Sequence, residues 1–282
     1  MGGVAVVLAG CLGPVGPKSA RSFAARIAQE GGFTKVDFAV QPIPLTGYIK
    51  TDTGSHTTDL HVYIERDGRA WIRSDLASPD PTPWNPLGLK LALSDPRSDI
   101  LYLTRPCQYI DLANVPACTP ALWTRERFSA AAIDATSAAI ESVVSRYGAE
   151  GQPLSLTLIG YSGGGVIAAM IAADRKDVAH LITVAAPLDT AAWTRKMKVD
   201  PMAVPYGVDQ LAHKLRDLDQ HHFAGGKDKI VPPVTLRDFA ALMSGSADFH
   251  LTEVPDFDHH CCWVREWPDL LQTATETGEK LD

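Results

Sequence analysis

The feature that most constrains the fold of this chain is a serine set among glycines, GYSGGG, at residues 160–165. The apolar run LSLTLI precedes it and the small-residue run GVIAAMIAADR overlaps its end. This order predicts a strand, a tight turn and a helix. Glycine weakens strands and helices alike, so its repeated use favours a backbone that must turn sharply. We interpret the turn as one that presents the Ser162 hydroxyl at the carboxyl end of a strand.

A glycine-rich turn between a strand and a helix can instead bind phosphate, because the free N–H groups of a helix N-terminus favour negative charge. Such turns usually carry Gly-x-Gly-x-x-Gly or end in Lys-Ser or Lys-Thr. This turn has neither pattern. The sequence therefore favours a nucleophilic Ser162 over a phosphate-binding turn.

Strand-like and helix-like segments alternate along the chain, which predicts an α/β protein with a mostly parallel central sheet and helices on both faces. The strands LTGYIK (45–50) and DLHVYIE (59–65) are predicted to form an antiparallel hairpin around Gly54. Later strands are predicted in ILYLTR, LSLTLIG, VAHLITVAAP, QHHFAGG and FHLTEVP. Residues 188–219 lack a clear strand and are predicted to form a small lid over a site.

The N-terminus, MGGVAVVLAGCLGP, resembles the lipobox of bacterial lipoproteins, in which Cys11 would carry lipid. The apolar stretch is short and no basic residue precedes it, and a buried first strand at Val4–Leu8 is the alternative. The predicted organisation is a truncated lipoprotein signal at 1–10, a tether or appendage at 11–40 and one α/β domain at 41–282. This predicts a location in the cell envelope, lipid-anchored or periplasmic, or in the cytoplasm if the lipobox is a chance match.

Five cysteines occur in the chain. Cys107 and Cys118 lie in one loop-like stretch, RPCQYIDLANVPAC, and export would allow them to form a disulfide. Cys261 and Cys262 are adjacent and could pair only through a strained ring. The alternative is that these four cysteines are small buried residues.

A serine hydroxyl is a poor nucleophile unless a base takes its proton. In a strand-turn-helix arrangement of this kind, an acid and a histidine are expected later in the chain, each at a strand end. The segment HHFAGGKDKIVPP places Asp228 there, and VPDFDHHCCW places His259 and His260 there. Asp228 could instead cap a turn, with Asp189 as the reserve acid. We prefer His259 to His260 because it lies closer to the preceding strand.

A tetrahedral intermediate also needs backbone donors for its oxyanion. One is expected to be the N–H of Gly163, directly after the serine. The other is expected from the loop after DLHVYIE, from Asp67 or, as second choice, Arg66. An ordinary polar turn is the alternative for this loop.

Five segments together resemble a family of bacterial α/β-hydrolase proteins: VYIERDG, RPCQYI, GYSGGG, GGKDKIVPP and DHHCCW. The resemblance extends over about residues 45–267. It implies an α/β-hydrolase fold with Ser162, Asp228 and His259 as the catalytic triad. Arg66 stands where the family usually has glycine, and a side chain there would narrow the site or contact an acidic substrate.

These residues predict a serine hydrolase that acts on a small-molecule ester, thioester or related acyl compound. Acyl transfer, peptidase activity and a non-catalytic lipoprotein that uses the fold for binding are the alternatives. The net charge of −7 and the absence of a Lys/Arg-rich patch argue against nucleic acid as a partner. No cofactor or metal is predicted, since the adjacent residues of HHCC cannot all converge on one ion. Contact with a membrane is predicted only through lipid on Cys11.

Overall fold

The computed structural model describes residues 16–40, 42–51, 58–148 and 154–276. The predicted signal at 1–10 and Cys11 lie outside these ranges, so lipidation stays a prediction. Within the described ranges no helix has the length and apolar character needed to cross a membrane.

The chain forms eight α-helices, ten strands and two short 3₁₀ helices within the described ranges. The helices are α1 (Pro17–Glu30), α2 (Leu87–Ser94), α3 (Ala130–Tyr147), α4 (Gly163–Ala172), α5 (Thr190–Met197), α6 (Val208–Lys214), α7 (Pro233–Leu242) and α8 (Trp263–Glu276). The strands are β1 (Thr34–Phe38), β2 (Leu45–Lys50), β3 (Asp59–Ile64), β4 (Trp71–Arg73), β5 (Leu76–Ala77), β6 (Ile100–Leu103), β7 (Ser155–Tyr161), β8 (Val178–Val184), β9 (Asp219–Gly225) and β10 (Phe249–Val254). The 3₁₀ helices are Leu112–Asn114 and Pro120–Trp123.

Eight strands form one sheet in the order β1-β2-β6-β3-β7-β8-β9-β10. Strand β2 runs against both of its neighbours, β1 and β6, and all other neighbouring pairs are parallel. Strands β4 and β5 form a separate two-stranded ribbon. The predicted mostly parallel sheet is confirmed, and the carboxyl ends of β3, β7, β8, β9 and β10 meet at one edge.

Helices cover both faces of the sheet, as predicted. One apolar core lies between the sheet and α3, α4, α6 and α7. The other lies between the sheet and α1, α2 and α8. Apolar side chains on both faces explain why the central strands consist of nearly continuous apolar runs.

The predicted hairpin of the first two long strands is wrong. Strand β6 lies between β2 and β3, antiparallel to β2 and parallel to β3. Every residue of β6 is buried, so it meets the requirements of a central strand. Short apolar strands carry little information about which neighbour they pair with, and proximity along the chain was a poor guide here.

The described part of the predicted tether belongs to the α/β unit. In α1, Ala20, Ala24 and Ala28 are fully buried and form a stripe along one helix face. Strand β1 pairs with β2 along its whole length, from Thr34 opposite Ile49 onward. A stripe of small alanines is less conspicuous in sequence than one of large apolar residues, which is why this segment resembled a linker.

The turn from β7 to α4 requires glycine because the strand and the helix approach each other closely. A Cβ on Gly160 would lie 2.3 Å from the Cα of Gly165. A Cβ on Gly165 would in turn lie 2.5 Å from the Cβ of Ala186. Both contacts are shorter than the van der Waals distance, so any larger residue would separate the helix from the sheet.

We therefore expect Gly160→Ala to lower the free energy of unfolding by about 3 kcal/mol, the upper end of the usual overpacking penalty. Gly207→Ala is the matched control, because a Cβ on Gly207 meets no atom within 4 Å and its φ is −69°. Urea denaturation of both variants measures the difference. Equal stability of the two variants would contradict the close approach of β7 and α4.

Candidate active site

Ser162 lies between β7 and α4 with a backbone that few non-glycine residues adopt. Its φ is 54° and its ψ is −124°. The turn is fixed by two hydrogen bonds, from the Ser162 N–H to the Val184 carbonyl at 2.8 Å and from the Gly165 N–H to the Ser162 carbonyl at 2.9 Å. A strained conformation of this kind persists only where the surroundings enforce it, and it is a recurrent feature of functional sites.

The structure brings Ser162 together with His259 and Asp228. Asp228 follows β9, and His259 lies between β10 and α8. The Ser162 Oγ is 3.1 Å from the His259 Nε2, and the His259 Nδ1 is 2.7 Å from the Asp228 Oδ2. The three side chains are therefore hydrogen-bonded in series at the carboxyl edge of the sheet.

The carboxylate of Asp228 is fixed in place by its own loop. Its Oδ1 accepts hydrogen bonds from the N–H groups of Ile230 at 2.7 Å and Val231 at 2.8 Å. The other oxygen is thus directed at His259. Since a carboxylate can only accept, His259 Nδ1 carries a hydrogen and Nε2 is left to accept from the Ser162 hydroxyl.

The backbone around His259 is anchored from both sides. The Tyr161 hydroxyl, one residue before the serine, donates to the His259 carbonyl. Trp263, at the start of α8, donates from its Nε1 to the Asp258 carbonyl at 3.0 Å. The segment that carries the histidine is therefore tied to both the serine strand and the last helix.

The two reserve residues occupy other roles. His260 is exposed, and its ring lies edge-on to that of His259 with centroids 5.2 Å apart. Partial desolvation of the ring, and then the charges of Arg66 and His259, lower the pKa of His260. Asp189 caps α5 by accepting a hydrogen bond from the Ala192 N–H at 2.8 Å.

The structure distinguishes the candidate oxyanion donors. Gly163 is the first residue of α4, and Asp67 lies in the loop after β3. Among the described residues, neither N–H has an acceptor within hydrogen-bond distance. The Arg66 N–H is occupied, because it donates to the Glu65 Oε1 at 3.0 Å. Gly163 and Asp67 are therefore the pair with free N–H groups.

The carboxylate of Asp67 lies against the serine turn and is held by two arginines. Arg105 Nη1 lies 2.8 Å from its Oδ1, and Arg127 Nη1 lies 2.9 Å from its Oδ2. A Cβ on Gly163 would lie 2.1 Å from the same Oδ1, so glycine is required at this contact. Burial raises the pKa of Asp67, but the two guanidinium groups outweigh it and the pKa lies below its ordinary value.

The RPCQYI segment contacts the loop that carries Arg66 and Asp67. Besides the contact of Arg105 with Asp67, the Gln108 Nε2 donates to the Arg66 carbonyl at 3.0 Å. A disulfide joins Cys107 of this segment to Cys118, eleven positions further along the chain. The structure also pairs Cys261 with Cys262, directly after the histidines.

A cavity of about 500 Å³ opens beside Ser162 and His259. Its walls include three tryptophans, Trp71, Trp84 and Trp193. Trp193 comes from α5, inside the segment predicted to be a lid, and it donates to the Ile230 carbonyl at 2.7 Å. The rest of that segment packs on the core through α6. The segment therefore contributes to the cavity through Trp193, which forms part of one wall.

Several solved structures are similar to this chain over most of its length. An esterase from Pyrococcus furiosus is 14% identical and has a TM-score of 0.60, with 88% of this chain and 94% of that chain covered. An α/β serine hydrolase without a lid from Xanthomonas campestris is 15% identical with a TM-score of 0.53, covering 87% and 93%. A serine hydrolase homologue from Coxiella burnetii is 15% identical with a TM-score of 0.55, covering 88% and 97%.

The chain has the α/β-hydrolase fold. No protein-family model matches the sequence, and no curated protein is similar to it. At these identities the solved structures show the architecture alone. The activity of this α/β-hydrolase-fold protein must be argued from its own residues.

Sequence reasoning missed the arginines that hold Asp67 and the tryptophans that line the cavity. Arg105 and Arg127 lie 38 and 60 residues from Asp67 in the chain. The RPCQYI segment was a signal for Arg105, but its contact with the Asp67 loop could not be read from spacing. For Arg127 the sequence contained no comparable signal.

We expect Asp67→Asn to destabilise the protein at neutral pH and to have a smaller effect in acid. A carboxylate whose folded pKa is depressed contributes stability above its unfolded pKa of about 4 and loses it as the pH falls toward the folded value. At pH 7 the loss is on the order of 3 kcal/mol, because two buried guanidinium groups lose their partner.

Urea denaturation at pH 7 and pH 3 measures this difference. Asp75→Asn is the matched control, since Asp75 and its partner Arg73 are both largely exposed and such pairs contribute little. A destabilisation by Asp67→Asn that is the same at both pH values would contradict the depressed pKa.

Proposed function

We propose that the protein is a serine hydrolase that cleaves esters or thioesters of small molecules, with carboxylesterase activity as the leading reaction. The observation that carries this is the hydrogen-bonded series Ser162–His259–Asp228 beside an open cavity. This arrangement supplies a nucleophile, its base and the group that orients the base.

In the first half of the proposed reaction, Ser162 Oγ attacks the substrate carbonyl carbon while its proton passes to His259 Nε2. Asp228 accepts from Nδ1 and stabilises the imidazolium that forms. His259 then gives this proton to the leaving oxygen or sulfur as its bond to the acyl carbon breaks. The products of this half are an alcohol or thiol and an acyl-serine.

In the second half, water attacks the acyl-serine and gives a proton to His259. Collapse of the intermediate returns that proton to Ser162 and releases the carboxylic acid. In both halves the N–H groups of Gly163 and Asp67 would donate to the oxyanion. Preorganised backbone donors of this kind are usually the largest single contribution to such catalysis.

The carboxylate of Asp67 would oppose a developing negative charge so close to Gly163 if it were unpaired. Arg105 and Arg127 offset it. We infer that this pairing lets the loop carry an acidic residue beside the oxyanion position. The similarity in fold to an esterase and to serine hydrolases agrees with the proposal without naming a substrate.

Acyl transfer to an acceptor other than water would use the same residues, and a binding protein would not need them in series. We rank hydrolysis ahead of acyl transfer because water has access to Ser162. Ser162 lines the cavity and is only partly buried, so water can reach an acyl-serine.

We expect a fluorophosphonate probe to label the wild-type protein and to leave Ser162→Ala unlabelled. Ser162→Ala should also lower kcat/KM for p-nitrophenyl butyrate by on the order of 10⁴-fold, because the nucleophile is removed. Asp228→Asn should lower it by about 10³-fold, because the histidine tautomer is no longer fixed.

The two histidines provide a matched pair for the same measurement. His259→Gln should abolish labelling, whereas His260→Gln should lower kcat/KM by less than about tenfold, since it would remove no proton transfer. Wild-type protein that stays unlabelled while a control esterase reacts would overturn the proposed function. Loss of labelling in His260→Gln but not in His259→Gln would reassign the base.

A further inference from the structure

The cavity beside Ser162 contains more positive than negative charge. Three arginines and one aspartate line it, Arg66, Arg69, Arg127 and Asp67. Arg127 and Asp67 pair with each other. In the described ranges, the guanidinium groups of Arg66 and Arg69 form no ion pair with a carboxylate. Two cations are thus left without an anion in a cavity that contains the candidate nucleophile.

Arg66 is the better placed of the two to contact a ligand. Its backbone is fixed on both sides, by the Glu65 side chain at 3.0 Å and by the Gln108 side chain at 3.0 Å. Among the described residues its guanidinium makes one hydrogen bond, a long one from Nη2 to the Asn85 carbonyl at 3.4 Å. Its Nε is shielded from solvent and has no hydrogen-bond partner among the described residues. A rigid loop therefore presents a guanidinium with unused donors.

Glu65, the buried acid that precedes Arg66 in the chain, makes no hydrogen bond to the Arg66 guanidinium among the described residues. Glu65 is fully buried, and its oxygens accept hydrogen bonds from the backbone N–H groups of Arg66, Gly88 and Leu89 and from the Tyr102 hydroxyl. No Glu65 oxygen lies within ion-pair distance of the Arg66 guanidinium. The Glu65 carboxylate is therefore hydrogen-bonded to the backbone under the loop, and it acts on the Arg66 guanidinium through charge rather than through a hydrogen bond.

Arg69 is a second cation in the cavity lining. Its guanidinium lies over the ring of Trp84, 4.4 Å from the centroid, and its side chain is exposed. The three tryptophans add apolar surface to the same cavity lining. A ligand that fills the cavity can therefore meet the serine, an apolar wall and a guanidinium.

We propose that Arg66 binds an anionic oxygen group, a carboxylate or a phosphate, on the substrate of the serine hydrolase, so that the enzyme prefers acidic esters or thioesters to neutral ones. This inference rests on the proposed function and assigns its substrate class. The planar fork of a guanidinium matches the two oxygens of a carboxylate or phosphate, which gives orientation as well as attraction. The anionic group lies on either the acyl part or the leaving group, and both use the same contact.

The test compares each anionic ester with its neutral counterpart. For the acyl part the pair is p-nitrophenyl hemiadipate and its methyl ester. For the leaving group the pair is 4-(butanoyloxy)benzoate and its methyl ester. The measured quantity is the ratio of kcat/KM for the anionic and the neutral member, corrected for spontaneous hydrolysis.

We expect Arg66→Gln to lower this ratio by about tenfold or more in at least one pair, as loss of a hydrogen-bonded charge partner does. Arg66→Lys should give a ratio between those of the wild type and Arg66→Gln, because the positive charge remains but the paired N–H donors of the guanidinium are lost. Arg73→Gln is the matched control, since Arg73 is exposed, pairs with Asp75 and lies outside the cavity lining. It should leave the ratio unchanged.

The pair in which the ratio falls identifies the part of the substrate that carries the anion. An equal effect of Arg66→Gln on both members of both pairs would overturn the proposal while leaving the hydrolase function intact. The same holds if Arg66→Gln does not fold and Arg66→Lys leaves both ratios unchanged. If neither neutral ester is hydrolysed and Ser162 is not labelled by a fluorophosphonate, the proposed function fails and the substrate class fails with it.

Discussion

The site depends on the backbone of one residue. Ser162 has a positive φ because β7 and α4 meet at a turn whose flanking glycines are nearly in contact. Only this close approach places the hydroxyl above the sheet edge, within 3.1 Å of His259. The glycines that weaken the two elements locally are therefore the condition for a serine that projects from the turn.

A second constraint acts on the loop after β3, which lies opposite the serine turn. Its position is set by Arg105 and Gln108 on one side and by the buried Glu65 carboxylate on the other. Loops rarely hold a backbone N–H in one place without such support. Asp67 and its two arginines thus fix the geometry of the loop. They affect the substrate indirectly, through the backbone N–H groups that the loop holds in place.

Much of the fold and the candidate site could be predicted from sequence, and the reason is that those parts are local. The strand-turn-helix around Ser162 lies within one stretch of chain, and Asp228 and His259 each follow a strand that is recognisable by itself. Parallel strands then bring these ends to one edge without further information.

What sequence could not provide is pairing across long separations. The hairpin prediction failed because β6 inserts between β2 and β3. The appendage prediction failed in its described part because the alanine stripe of α1 gives a weak signal. The pairing of Arg127 with Asp67 is a tertiary contact that no periodicity reports.

The disulfide between Cys107 and Cys118 adds a different kind of control. It closes a ring across 11 positions of the chain, in the segment that supports the Arg66 loop. Such a crosslink restricts the unfolded ensemble as well as the native one, and a ring of this size is worth about 3 kcal/mol by chain-entropy reasoning. That contribution exists only where thiols are oxidised. The rigidity of the Arg66 loop therefore depends on the redox conditions of the compartment in which the chain resides.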